Sequence, residues 1–107
     1  MRGEALKGHL DLLLLAAVAE GPVHGYAIVQ ELRRRSGGVF DLPEGTIYPA
    51  LHRLEDAGRL KGEWSEEDGR RRRVYRLTAR GRKALVEQKN QWTTFSGAVF
   101  EVIRGTP

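Results

Sequence analysis

Cations and hydroxyl groups in two short stretches are the residues of this sequence best suited to chemistry. The first stretch, 46–53, contains threonine, tyrosine, histidine and arginine, and the second is the run of four arginines at 70–73. From Arg70 to Lys83 there are eight basic residues and no acidic one. Hydroxyl and guanidinium groups bind phosphate oxygens, and arginine or histidine hydrogen-bonds the edge of guanine. These residue types therefore indicate recognition of duplex nucleic acid.

The first stretch lies within a predicted helix that begins at Glu44 or Gly45 and ends near Gly58. Four apolar residues recur there at helical spacing, namely Ile47, Ala50, Leu51 and Leu54. If these face inward, the candidate DNA contacts lie on or near the other side: Thr46, Tyr48, Pro49, His52 and Arg53. An ordinary amphipathic surface helix would show the same pattern, so the helix alone leaves both interpretations open.

Pro49 is the unusual residue of this helix. A proline is tolerated if the first turn begins at Thr46, and it would then offer an apolar surface to a thymine methyl group. If the helix begins at Glu44, a bend is expected, because an interior proline removes one backbone hydrogen bond.

The four arginines, Arg70, Arg71, Arg72 and Arg73, belong to a predicted β-hairpin. Its strands are expected at 60–65 and 72–77, joined through a turn at 66–69 that ends in Asp-Gly. Strand alternation places Arg71 and Arg73 on one side and Arg70 and Arg72 on the other. Four neighbouring cations favour a counter-charge such as a phosphate backbone. The acidic residues at 66–68 could instead supply that charge within a solvated turn.

Three further helices surround these stretches. The first is predicted from Glu4 to Glu20, the second from His24 or Gly25 to Arg35, and the last from Ala79 to Ile103 with Thr78 as its N-cap. Three helices, a hairpin and a long helix predict a mainly α fold with a small β-hairpin, the winged helix-turn-helix arrangement. We expect residues 1–78 to form the DNA-binding domain and residues 79–107 a C-terminal dimerisation helix, packed as one compact unit.

The last helix is too apolar to lie alone beside so small a core. This predicts a symmetric homodimer in which the first helix shares the interface. The candidate interface residues are Leu6, Leu10, Leu13, Leu85, Trp92, Phe95, Val99 and Val102. Trp92 is either a large interface anchor or, beside its own copy near a two-fold axis, part of a clamp for a flat aromatic effector.

Other functional classes find little support in the composition. The 107 residues carry a net charge of +4 and contain no cysteine, which excludes disulfides and cysteine nucleophiles. The three histidines lie in separate predicted elements, and no plausible nucleophile and base are paired, so we expect neither a metal site, nor a cofactor, nor an enzyme. The apolar run from Leu10 to Ala19 is about half the length that spans a bilayer, so we expect no membrane partner and a cytoplasmic protein.

Three motifs in this order and spacing resemble the PadR-like transcriptional regulators: HGY at 24–26, GTIYPAL at 45–51 and YRLT at 75–78. The similarity covers most of the first 85 residues, and the chain resembles the short-tailed branch of the family. It implies a dimeric winged-helix protein, usually a repressor released from its operator by a small, often aromatic, molecule. It also implies that Tyr26 and Tyr48 position the protein on the DNA backbone and that Trp92 lies at the dimer centre.

The predicted function is therefore a homodimeric repressor that binds double-stranded DNA at a pseudo-palindromic operator, with a possible aromatic effector. Two alternatives stay open. The cleft between the two protomers could sequester a ligand, with DNA binding incidental. Alternatively, the basic hairpin, or wing, could bind an acidic protein partner.

Overall fold

The computed structural model describes residues 6, 8–21 and 23–105. In chain order its elements are α1 (Leu10–Val18), β1 (Val23–His24), α2 (Gly25–Arg35), α3 (Glu44–Asp56), β2 (Leu60–Glu67), β3 (Arg70–Leu77) and α4 (Ala79–Ile103). The predicted mainly α fold with a small β-hairpin and a long C-terminal helix is confirmed. It is a winged helix, in which β2 and β3 form the wing beside α3.

The core lies where α1, α2 and α3 meet the inner face of the sheet. Its largest fully buried side chains are Leu14, Leu15, Val18, Ile28, Ile47, Leu51, Leu54 and Tyr75. Burying an aliphatic side chain of this size contributes about 1.5–3 kcal/mol relative to exposure. This core therefore fixes how α3 and the wing stand relative to each other.

The first helix is shorter than the sequence predicts. Gly8 has φ +89° and His9 is the N-cap, so α1 begins at Leu10 instead of Glu4, and it ends at Val18 instead of Glu20. A left-handed residue interrupts a right-handed helix, and glycine adopts it without the steric penalty of a side chain. Glu4 lies outside the described residues.

The hairpin is longer and its turn tighter than predicted. The strands pair antiparallel from Leu60 opposite Leu77 to Glu67 opposite Arg70. Only Asp68 and Gly69 form the turn, with φ values of 50° and 75°. Positive φ at both central residues defines the two-residue turn whose twist matches that of the strands. The prediction of a turn spanning 66–69 was therefore wrong, and Arg70 and Arg71 belong to the strand.

A third strand was missed. β1 has two residues and pairs with β3, placing Val23 opposite Tyr75 and His24 opposite Val74. The strand order is β1-β3-β2. Two residues are too few to show the alternation by which a strand is recognised in sequence.

Helix α3 begins at Glu44, with Pro43 as its N-cap. The backbone N–H groups of Thr46 and Ile47 both donate to the Pro43 carbonyl, at 2.9 and 3.2 Å. Of the two possible starting points, the structure selects Glu44 and not Thr46. Pro49 consequently lies in the second turn, where its missing N–H leaves the Gly45 carbonyl without the usual helical donor.

The wing is joined to α4 at a tightly packed corner. The Thr78 hydroxyl accepts a hydrogen bond from Gly81 N at 3.0 Å and donates to the Gly58 carbonyl at 2.6 Å. The predicted N-cap is therefore confirmed. A Cβ on Gly81 would lie only 1.9 Å from the Arg59 carbonyl oxygen, so only glycine fits there.

Among the described residues, no helix has the length and apolarity needed to span a membrane.

Candidate nucleic-acid interface

One face of α3 is exposed and carries four of the five predicted contacts. Ile47, Ala50, Leu51 and Leu54 are buried. Four of the predicted contacts are exposed, namely Thr46, Pro49, His52 and Arg53. The amphipathic division expected from the sequence is thus present, and a polar surface with one apolar position faces outward.

Tyr48 differs from these four, because its ring packs inward. It is half-buried against the core, and a Cβ on Gly25 would lie 2.5 Å from its Cε1 and 2.8 Å from its hydroxyl oxygen. Burial, with a smaller effect of Glu44, raises the pKa of the Tyr48 phenol. The glycine of the HGY motif therefore makes room for the tyrosine of α3.

The N-terminus of α2 is joined to the wing through His24. Its Nδ1 accepts a hydrogen bond from the backbone N–H of Ala27 at 3.2 Å, which caps the helix. Its Nε2 lies 3.0 Å from Nη1 of Arg72. Sequence reasoning missed His24 as part of this site, although its place just before an apolar helical pattern is a capping signal.

A basic cavity of about 360 Å³ lies between α2, α3 and the wing. It is lined by His24, Gly25, Tyr26, Tyr48 and the arginines 70–73. Tyr26 is exposed at its edge. Tyr48 is the α3 residue that lines this cavity, so the fold brings together candidate contacts that are far apart in sequence.

The four wing arginines have different surroundings. Arg71 and Arg73 lie over the indole of Trp64, 4.7 and 5.4 Å from the ring centroid, as expected for one face of the strand. Arg73 also forms an ion pair with Glu55. Within the part of the chain that the structure describes, Arg70, Arg71 and Arg72 have no carboxylate within 4.0 Å. Sequence reasoning also missed Trp64, which holds two of these guanidinium groups by cation–π contact.

The predicted dimer-interface residues divide into two groups. Leu6 is buried in the protomer's own core, and Leu10, Leu13 and Leu85 pack partly buried against it. The exposed group lies on the second half of α4 and comprises Trp92, Phe95, Val99 and Val102, together with Phe100 and Ile103, which sequence reasoning did not include.

Trp92 lines a second cavity, of about 370 Å³, between the start of α1 and α4. His9 and Asp11 lie on one side of it and Gln88 and Phe95 on the other. The rings of His9 and Trp92 are tilted with respect to each other, and their centroids lie 4.8 Å apart.

Among the described residues there is no group of three or more side chains able to hold a metal ion.

The sequence model of the PadR-like transcriptional regulators matches residues 14–87. That match includes α2, α3 and the whole wing. The chain belongs to the PadR-like family of transcriptional regulators. Two of the three motifs that carried the resemblance line the basic cavity: HGY supplies the α2 end and GTIYPAL supplies Tyr48.

Two proteins to which this PadR-like chain is similar are named as transcriptional regulators. Transcriptional regulator Rv3488 of Mycobacterium tuberculosis is 46% identical over 86 residues, which are 80% of this chain and 78% of that protein. The crystal structure of a PadR family transcriptional regulator from Eggerthella lenta superposes with a TM-score of 0.82 at 31% identity, covering 96% of this chain and 88% of that one.

A third comparison concerns Bacillus subtilis PadR, whose structure was solved in complex with operator DNA. The TM-score is 0.69 at 23% identity, covering 75% of this chain and 46% of that one. At this identity the likeness shows a shared fold.

Proposed function

We propose that this PadR-like regulator is a homodimeric repressor that binds a pseudo-palindromic operator in double-stranded DNA. The observation that carries the proposal is that α3 presents an exposed polar face and, through Tyr48, also lines the basic cavity beside the wing. Thr46, Pro49, His52 and Arg53 would read or flank bases in the major groove, while Tyr26 and the wing would hold phosphates. The operator complex of Bacillus subtilis PadR, which has the same fold, supports DNA as the partner.

The charges around the cavity support phosphate binding. Arg70, Arg71 and Arg72 surround it without a carboxylate partner among the described residues. Arg71 is held over Trp64, so less side-chain freedom is lost when it meets a phosphate. If the acidic residues at 66–68 instead neutralised these arginines in a solvated turn, their carboxylates would form ion pairs with the guanidinium groups. No such ion pair is present in the described residues.

A two-fold dimer would cover the exposed apolar face of α4. Phe95 is 60% exposed and Val102 is 80% exposed, and buried residues of α4 occur only in its first two turns, at Gly81 and Ala84. Burying so large an apolar patch against a copy of itself is favourable and gives two α3 helices related by symmetry. Such a dimer would recognise two half-sites.

An aromatic effector would bind beside Trp92 in the second cavity, which His9 and Phe95 also line. The same cavity supports the second candidate function, a ligand-sequestering dimer. The two functions are separated by titrating flat aromatic compounds against Trp92 fluorescence with and without bound duplex. Ligand-dependent release of the duplex supports a ligand-responsive regulator, whereas saturable quenching without any effect on duplex binding supports sequestration.

Salt dependence of duplex binding tests the proposal. If phosphate contacts dominate, the logarithm of the association constant falls linearly with the logarithm of salt concentration, by about 0.9 for each neutralised phosphate. Operator fragments are first selected from genomic DNA, and their affinity is then measured at several salt concentrations beside a random duplex. Affinity that barely changes between low and moderate salt would remove DNA binding as the function.

A further inference from the structure

Arg73 and Glu55 join the wing to the end of α3, and we propose that this ion pair is a positioning device that sets the wing against the recognition helix and thereby controls operator discrimination. Arg73 then acts through Glu55 and not as a phosphate contact, unlike its neighbours in the arginine run. The inference rests on the proposed DNA-binding function and adds to it a residue, Glu55, with a specific role.

The two side chains of this pair are less exposed than those of the other ion pairs in the described residues. Arg73 Nη2 lies 2.8 Å from Glu55 Oε2, and the two side chains are only 31% and 16% exposed. By contrast, the pair of Arg33 with Asp41 is 55% and 61% exposed. A sheltered charge pair is less screened by water and salt than an exposed one, so it fixes geometry more firmly.

Gly62 on β2 provides the space in which the two side chains meet. A Cβ at this position would lie 2.8 Å from Arg73 Nε and 2.8 Å from Glu55 Oε2. Gly62 is opposite Tyr75 in the hairpin, on the inner face of the sheet. The absence of a side chain on β2 therefore lets an arginine of β3 cross beneath its neighbouring strand and reach α3.

The Glu55 carboxylate depends on this arginine. Its second oxygen, Oε1, is buried and has no hydrogen-bond partner in the described residues. The hydrogen bond with Glu55 is also the main cause that raises the pKa of the Arg73 guanidinium. A carboxylate sheltered in this way loses its principal compensation when the arginine is removed, so the two residues act as a unit.

Arg73 and Arg71 differ in whether a neighbouring carboxylate neutralises their charge. Both lie over Trp64 on the same face of β3, but only Arg73 has a carboxylate partner. The net charge of the Arg73–Glu55 pair is zero, so the pair releases no counterion when DNA binds. Arg71 keeps its full positive charge, which makes it the matched control for Arg73.

The experiment compares Arg73→Gln and Arg71→Gln in the full chain, with operator and random duplex measured over a range of salt. Arg71→Gln is expected to reduce the salt slope by about 0.9 per protomer and to weaken both duplexes equally. Arg73→Gln is expected to leave the slope unchanged while lowering the operator-to-random affinity ratio by about tenfold.

Two further variants test the same role without removing the arginine. Gly62→Ala keeps every charge but intrudes between the paired side chains, and Glu55→Gln removes the carboxylate charge. Both are expected to lower the affinity ratio as Arg73→Gln does, and the double variant Glu55→Gln, Arg73→Gln should lose no more than either single one. Glu55→Gln should also steepen the salt slope by about 0.9 per protomer, since it frees Arg73 for a phosphate. Thermal unfolding of each variant verifies that the protein is folded at the assay temperature.

The outcomes distinguish this inference from the function on which it rests. A steep wild-type slope that Arg73→Gln reduces as much as Arg71→Gln would overturn the positioning role and leave DNA binding intact. Unchanged affinity ratios in folded Gly62→Ala and Glu55→Gln proteins would overturn it as well. If the duplex affinity of the wild-type protein does not depend on salt concentration, the proposed function is overturned, and the positioning role with it.

Discussion

The winged-helix region and the second half of α4 are stabilised in different ways. In the first, side chains from three helices and the sheet form a shared core, and Leu14, Leu15, Ile28, Ile47 and Leu51 are fully buried. In the second, aromatic and aliphatic side chains line an exposed helix, and no residue of α4 after Ala84 is buried. The difference teaches that the chain completes the core of the winged-helix region by itself, whereas it leaves the apolar side chains of its C-terminal helix exposed.

The largest expected effect concerns the corner at which these regions join. Gly81→Ala should destabilise the protein by about 2–4 kcal/mol, because its Cβ would collide with the Arg59 backbone oxygen at 1.9 Å, where no flexible side chain can move aside. Chemical denaturation measures the loss. Gly97→Ala in the same helix is the matched control, since nothing lies within 4 Å of its Cβ position, and it should cause no loss. Equal stability of the two variants would contradict the tight corner.

The exposed half of α4 should respond to charge through assembly. Phe95→Glu should weaken self-association by about 100-fold, because it places a carboxylate in an apolar interface, while the winged-helix core keeps its stability. Sedimentation equilibrium measures the dimer dissociation constant. Thr94→Glu, which introduces the same charge at a neighbouring exposed position, serves as the control. If Phe95→Glu and wild type associate equally, α4 does not form the dimer interface.

The packing of Tyr48 provides a test within the winged-helix region. Gly25→Ala should cost about 1–2 kcal/mol of folding stability, because the added methyl group overlaps the Tyr48 ring. Operator affinity should also fall, since Tyr48 links α3 to the basic cavity. Gly45→Ala adds a methyl group to the first turn of α3 with nothing within 4 Å, and its unfolding free energy should stay near that of wild type. If the Gly25→Ala and Gly45→Ala proteins have equal unfolding free energies, the Tyr48 ring moves aside without cost and the prediction is wrong.

The smallest effect concerns Glu31 on α2, whose carboxylate pairs with Arg34 and Arg35. Hydrogen bonds from Arg34 and Arg35 lower the pKa of this carboxyl from 4.5 to about 2. A depressed pKa means that the stabilisation is fully present above about pH 4.5 and is lost as pH falls towards about 2. The difference in unfolding free energy between wild type and Glu31→Gln should therefore shrink across that range, and a constant difference would contradict it. Because the pair is exposed, the whole effect should be small and should weaken with salt.

Much of the fold and part of the site were predictable from residue pattern. The period of Ile47, Ala50, Leu51 and Leu54 identified α3 and its exposed face, Asp68-Gly69 identified the hairpin, and Thr78 identified the start of α4. Each of these features depends on local propensity or on one period of a single element, so the information lies within a few residues of chain.

The features that escaped prediction involve contacts between elements. The pattern of α3 gave no sign that Tyr48 packs over Gly25, since a tyrosine is stable on either side of a helix. Strand alternation placed Arg71 and Arg73 together but did not distinguish them, because the partner of Arg73 belongs to α3 and reaches it past Gly62. Leu6 was expected at the dimer interface, yet it is buried in the protomer, since leucine is equally suited to either environment.

By itself the sequence determined the family, the order of the helices and the hairpin, and four of the α3 residues that face outward, because periodicity and turn chemistry are local properties. Only the tertiary structure decided that His24, Tyr26, Tyr48 and the wing arginines line one cavity, and that one of those arginines is neutralised by Glu55. The physical reason is that ion pairs and cavities depend on distances between side chains from separate elements, and packing of the core sets those distances.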